Sequence, residues 1–450
     1  MATTLDCELT GEIYGSSRMK GVFDARRRLQ GWLDAEAALA GAEADVGLIP
    51  KWAAERISDV ARAENFDLAE LANEIDGGRR HLIFPMVKAL SRAAGEEAGR
   101  FVHWGATTQD ILDTGTALQL RDGLTLLRNE FQAVVGTLAR LSSEHKDVVM
   151  AGRTHWQHAL PVTLGLKFAI MLDEAQRHAD RLDVVSQSVL VAQLGGGGGT
   201  LASLGKDWRA VQEGYCRRLG LARPVAPWFV SRDRGADLVS TLGMVAATIE
   251  RIVLTVGRLS ATEIGELSEQ FDPDQVGSST MPQKRNPIFC ERTAALCKLV
   301  RGLVPVVQES MVAEHDRDMA TFMAEWFVIP QAMIMACGAV EKVRQILEGL
   351  QIDIDRISAN LQLTGGGIVA EAVMFGLAEH VGRGRAHDIT MSASRQASET
   401  RRDLLEVLCE RDDVTKWLNE QQLRSLVDPR NYVGNAVETI GDVLSARSRA

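Results

Sequence analysis

Between about Thr108 and Leu350 apolar residues recur at intervals of three and four over segments of about 25 to 35 residues, the period of an α-helix rather than a strand. The stretches Ile111 to His145, Thr163 to Gln193, Gly235 to Leu267 and Pro287 to Glu314 read as near-continuous helices. Only 11 prolines occur in 450 residues, so little interrupts them. Helices this long exceed the ordinary globular length and predict a bundle whose members pack side by side. Several are apolar on more than one face: Met244 to Ile249 and Ile252 to Val256 are apolar most of the way round, broken only by Thr248 and Thr255. Partner subunits would cover them.

The expected fold class is therefore all-α, with a first helical domain at about 1–104, a central bundle at about 105–350 and a short-helix domain at about 351–450. In the first, Leu29, Leu33, Ala37, Ala40 and Ala44 share one face of a helix from Arg26 to Val46, which stops before Gly47 and Pro50. The last boundary is a turn at Gly349 to Asp353. A formal net charge of −10 argues against a nucleic-acid or membrane-surface binder, since both need a basic footprint. No run of eighteen apolar residues appears, which argues against a membrane span, and the N-terminus lacks a secretory pattern. The six scattered cysteines read as free thiols in a reducing cytosol.

Four punctuated segments concentrate polar groups. His103-Trp104-Gly105-Ala106-Thr107-Thr108-Gln109-Asp110 reads as a helix cap, or as a start where hydroxyls and unpaired amides bind a carboxylate. In Gly152 to Thr163, His155 and His158 could be metal ligands on a helix, but Pro161 disrupts that pattern and no carboxylate follows at zinc spacing. His155 could instead be a general acid or base. The run Gly195 to Gly199 lacks a P-loop Gly-Lys-Ser/Thr and reads either as a turn or as a backbone wall whose bare amides approach an anion. Val276 to Pro287 sets Ser278 and Ser279 before Lys284, Arg285 and Asn286 at a helix start. It reads equally as a basic capping loop or as a site where a deprotonated serine is held by amides and a cation.

Together these segments resemble the three signature regions of the fumarase/aspartase superfamily, in the family's order. Gly277-Ser278-Ser279-Thr280-Met281-Pro282-Gln283-Lys284-Arg285-Asn286 matches the loop G-S-S-x-M-P-x-K-x-N at every specified position. The resemblance implies a three-domain helical protomer, a twenty-helix homotetramer core, active sites each shared by three subunits, a small dicarboxylate or polycarboxylate substrate, and neither metal nor organic cofactor. It implies that Ser278 removes a proton beside a carboxylate while Lys284 and Asn286 stabilise the aci-carboxylate that forms. It casts His155 near the leaving group, with Glu291 holding it. Thr107, Thr108, Gln157 and Arg317 fall at positions that hold substrate carboxylates, Ser279 and Met281 line the same loop, and His103 and His81 match further active-site histidines of adenylosuccinate lyases.

Met19 to Asp34, Trp228 to Arg234 and Ala324-Glu325-Trp326 look most like the carboxymuconate cycloisomerase branch. Bacterial members of that branch typically carry Trp where this chain has His155, which favours elimination with His155 assisting departure. After Arg317, adenylosuccinate lyases use a serine and a second arginine to hold phosphate, whereas here Asp318 to Trp326 is apolar and acidic. The expected reaction is anti β-elimination on a substituted succinate, with C–N cleavage releasing fumarate. The alternative is 3-carboxy-cis,cis-muconate cycloisomerisation. A scaffold without activity would not require Ser278, His155 and Glu291 together.

Overall fold

The computed structural model describes residues 4–78, 81–270, 281 and 283–447. The described residues are mainly helical, with two short two-stranded sheets. The five long helices span Thr108–Glu144, Leu164–Val189, Asp233–Leu259, Ile288–Glu309 and Met319–Glu348. One end departs clearly from expectation: the Asp233 helix stops at Leu259, and Leu267–Ser268 is instead a strand paired with Gln351–Ile352. That pairing accounts for the break after Gly349.

The chain divides into two compact units, residues 1–132, 178–250 and 292–342 in the first and 133–177, 251–291 and 343–450 in the second. Every crossing between them falls inside one of the five long helices. In the first unit Asp24 caps the helix Ala25–Asp45 by accepting from the Arg27 N–H at 2.7 Å. Its buried Leu29, Leu33 and Leu39 join Ile57, Leu90 and Tyr215 in one core. Burying each such leucine contributes about 1.5–3 kcal/mol. A Cβ on Gly31 would lie 3.2 Å from the Gly115 carbonyl oxygen, so glycine here lets two helices approach closely.

The stretches Trp228 to Arg234 and Ala324-Glu325-Trp326 meet in this unit. Buried Arg232 donates to Asp113 at 2.9 and 3.1 Å and to Glu325, and its guanidinium lies 5.0 Å from the Trp228 ring centroid. Burial raises the Glu325 pKa to about 7, against the opposing pull of Arg232. These residues tie helices together in the interior.

In the second unit, strand β1 (Val149–Thr154) pairs antiparallel with β2 (Gln157–Thr163) in a hairpin. The helical reading once weighed for His155 and His158 therefore does not apply; the branched residues of both arms suit a pleated ladder. Farther along, Ala370–Val381, Arg383–Thr400, Leu404–Cys409 and Glu420–Leu426 enclose Val373, Leu377, Leu404, Leu408 and Leu423. Asn419 and Gln422 form a reciprocal capping box.

All six cysteines are free thiols, four of them buried. By length and hydropathy the Asp233–Leu259 and Met319–Glu348 helices could cross a membrane, but 67% and 61% of their most apolar windows are buried within the protein. Met244, Leu254, Met323 and Phe327 on these helices remain exposed.

Candidate active site

The first unit builds a seat around the start of the Thr108 helix. Asp110, buried in its first turn, reaches back to accept from the Thr107 N–H at 2.9 Å, one half of a capping box. The same carboxylate accepts from the Gly195 N–H at 2.7 Å and the Gly196 N–H at 3.0 Å. The amides expected to meet an incoming anion at Thr107, Gly195 and Gly196 are therefore taken by an anion of the chain itself. That corrects the reading of this glycine run as a wholly bare amide wall. Burial raises the Asp110 pKa to about 6, while the three amides and Arg317 favour its ionised form.

With its backbone N–H served by Asp110, Thr107 has its hydroxyl available to Arg317, whose Nη1 donates to Oγ1 at 2.8 Å. Arg317 Nη2 donates to the Gly196 and Gly197 carbonyls at 3.3 and 3.1 Å, and its guanidinium stacks 4.5 Å from the Phe229 ring centroid. Three hydrogen bonds engage a group with five N–H donors. A Cβ on Gly197 or Gly198 would meet nothing within 4 Å, so the loop is open beside this arginine. Thr108 Oγ1 and His81 Nε2 lie 3.1 Å apart.

His103, held at φ +62°, contacts Glu36 through Nδ1 at 2.6 Å. An ionised carboxylate only accepts, so Nδ1 carries the proton. Burial opposes the charged ring, but the hydrogen bond and charge of Glu36, helped by Asp110, outweigh it and raise the pKa. Seven residues along the same helix, fully buried Glu43 is pushed to about 9 by burial and by Glu36. Thr107, Thr108, His81, His103 and Arg317 thus lie in the first unit around Asp110 and Glu36, two acids that the sequence reading did not select. The acid at the third helix position was a visible capping signal; its bond to glycines 85 and 86 residues away was not.

The second unit carries the remaining groups. On β1, Arg153 donates to fully buried Glu266 at 2.9 and 2.6 Å, and Asn360 Nδ2 donates to the same carboxylate at 2.9 Å. Thr154 pairs with Gln157, leaving His155 and Trp156 as a two-residue tip at φ +49° and +63°. Both central residues at positive φ mark a type I′ turn, which normally favours Asn-Gly. Here a histidine and a tryptophan stand in it, and Trp156 is 83% exposed. Gln157 is exposed beside them.

Ser278 and Ser279 lie outside the described residues. Of the same loop, Met281 and Lys284 are exposed, Asn286 is half-buried, and the Lys284 N–H donates to the Met281 carbonyl at 3.1 Å. The helix that follows is capped by Glu269, which accepts from the Phe289 N–H at 3.2 Å and from the Cys290 N–H. Glu291 sits exposed in its first turn, and among the described residues no hydrogen bond joins it to His155.

Comparison with known proteins matches residues 13–302 to the family model described as Lyase and residues 366–443 to that of the adenylosuccinate lyase C-terminus. The chain is 41% identical to a 3-carboxy-cis,cis-muconate cycloisomerase of Pseudomonas aeruginosa, covering 95% of this chain and 94% of that one. It is 39% identical to an adenylosuccinate lyase of Methanothermobacter thermautotrophicus, over 96% of each. With an N-acetyl-S-(2-succino)cysteine lyase of Enterococcus italicus the identity is 35%, over 98% of this chain and 97% of the other. The crystal structure of a 3-carboxy-cis,cis-muconate lactonizing enzyme from Pseudomonas putida superposes with a TM-score of 0.91 at 38% identity, covering 97% of this chain and 98% of that one.

Proposed function

This chain belongs to the fumarase/aspartase superfamily of lyases, and on that footing we propose that it makes and breaks a bond one carbon away from a proton acidified by a carboxylate, on a small polycarboxylate. The observation that carries the reading is the Thr107–Arg317 seat: a guanidinium aligned by a threonine hydroxyl and two glycine carbonyls beside an open stretch of backbone. Ser278 moves the proton, removing it in an elimination and delivering it in the reverse addition, and Lys284 and Asn286 hold the charge that develops on the neighbouring carboxylate. The catalytic assembly is a homotetramer in which exposed Met244, Met323 and Phe327 are covered by other copies and each site draws on several chains. Such sharing gives His155 a partner, which it lacks among the described residues of one chain. Free thiols throughout suit a reducing cytosol.

Cycloisomerisation of 3-carboxy-cis,cis-muconate is the first reaction to assign, because full-length similarity to a cycloisomerase supports it more strongly than any observation supports release of fumarate from an amine adduct. There a carboxylate oxygen adds to a double bond while the adjacent carbon takes a proton, the reverse of an elimination. Elimination from a substituted succinate is the second reading, favoured by the histidine at the hairpin tip, which can protonate a departing nitrogen or sulfur.

Purified protein is incubated with 3-carboxy-cis,cis-muconate and, separately, with fumarate and a panel of amines and thiols. Lactone formation assigns the first reaction, and adduct formation the second. Ser278→Ala should lower either rate by about 10² to 10⁴, the usual worth of a general base. Absence of turnover with every pair would leave a scaffold without activity.

A further inference from the structure

The second unit holds a cavity of about 700 Å³ behind the hairpin tip, a size that suits a small ligand. Its cations converge from separate elements: Arg153 and His158 from the two strands, Lys167 from the helix Leu164–Val189, Arg258 from the last turn of the helix Asp233–Leu259, with His155 on the wall. Glu263 is the only acidic group among the lining residues.

These cations differ in how they are balanced. Arg153 is matched bidentately by Glu266, so its charge is answered in place. The side chains of Lys167 and Arg258 make neither an ion pair nor a hydrogen bond among the described residues. Lys167 is half-buried; burial, and then the charge of Arg153, hold its pKa below that of an ordinary lysine. His158 is held low by the same two causes, and its Nδ1 is buried without a partner. A half-buried ammonium beside a guanidinium, eased only in part by Glu266, the carboxylate already bonded to Arg153, is a costly arrangement that an arriving anion would relieve.

Resting on the lyase reading, we propose that this cavity is a further anion subsite, receiving a carboxylate that the substrate carries beyond those flanking the reacting bond. For a lactonising reaction that group is the third carboxylate of a tricarboxylate. For an elimination it is a carboxylate on the departing amine or thiol. Lys167 and Arg258 bind it, and His158 and Arg153 shape the wall. The subsite makes the enzyme select by charge for substrates with at least three carboxylates.

The test compares matched pairs that differ by one carboxylate: 3-carboxy-cis,cis-muconate against cis,cis-muconate, and 2-(carboxymethylamino)succinate against 2-(methylamino)succinate. In the parent, kcat/KM should favour the more charged member of the active pair by about tenfold or more, the worth of one charge-assisted hydrogen bond. Lys167→Met and Arg258→Gln, made separately, should each shrink that ratio, and Lys167→Arg should keep it. Which pair responds distinguishes a substrate carboxylate from one on the leaving group. No preference in the parent, or an equal preference in both charge-removing variants, overturns the subsite. If no pair is turned over, the lyase reading fails and calorimetry judges the cavity alone. Propane-1,2,3-tricarboxylate binding more tightly than succinate to the parent but not to Lys167→Met supports the subsite, and equal binding of the two to the parent refutes it.

Discussion

The seat at the start of the Thr108 helix and the tip of the β1–β2 hairpin carry chemistry in opposite ways. At the seat almost every polar group is already engaged: Asp110 accepts from three amides, Arg317 donates to a hydroxyl and two carbonyls, and His103 is held by Glu36. At the tip, His155 and Trp156 project from a turn that favours neither residue, and Trp156 has most of its surface in solvent. One region holds its polar groups in bonds of its own; the other leaves a histidine and an indole at an exposed turn. Changes in the seat should therefore disturb binding and stability together, whereas changes at the tip should separate catalysis from stability.

The largest effect should come from His155→Ala. Loss of a positioned acid lowers kcat by about 10² to 10⁴ on a substrate whose leaving group needs a proton. Thermal melting should not move, because the side chain is exposed. A melting point that falls in step with activity would make the tip structural. Asp110→Asn should act on both properties at once: the amide keeps one acceptor oxygen and turns its own N–H groups toward backbone donors. A stability loss of about 2–4 kcal/mol by denaturant titration is expected, together with a raised KM. In the parent, affinity should also weaken as pH drops below about 6, where Asp110 takes up a proton.

Glu36→Gln tests the upper pH side of the seat. The His103 pKa is raised in the folded protein, so its charge, and any binding or stability that depends on it, is fully present below the ordinary histidine value and lost as pH climbs through the folded one. Without the Glu36 charge that loss should begin at lower pH, seen as a shift in the alkaline limb of kcat/KM. An unmoved limb would remove His103 from substrate recognition. The smallest effect is expected from Trp156→Gly. Relieving one left-handed non-glycine residue should raise stability by about 1 kcal/mol, read as a shift in the denaturation midpoint. A loss of stability would mean that the exposed indole is held by contacts along the hairpin.

The helices were legible because their signal is local: apolar residues at three and four, few prolines, and Asp24 ahead of Ala25. Thr107, Arg317 and the serine loop were singled out by motif, which reports residue type and order. Neither kind of signal carries long-range pairing, so the bonds from Asp110 to Gly195 and Gly196, and from Glu36 to His103, stayed hidden. The hairpin was missed for another reason. A two-residue tip ordinarily announces itself with Asn-Gly, and His155-Trp156 lacks that cue. Lys167 and Arg258 were missed because they stand on different helices, each an ordinary polar position until the fold sets them around one cavity.

The engagement of Asp110 with the glycine run also bears on which metabolites can interfere with this chain. Glycine loops ordinarily attract phosphate because their amides point inward unanswered. Here two of those amides already hold a carboxylate that is tethered by its own backbone and cannot diffuse away. A nucleotide or free phosphate reaching the loop would have to expel that group, or settle against its negative charge. The built-in occupant thus makes the loop a poor landing place for the abundant phosphorylated compounds of a cell. The neighbouring Arg317 keeps donors beyond its three bonds, so an anion reaching this point should be met by the guanidinium rather than by the Gly195 and Gly196 amides.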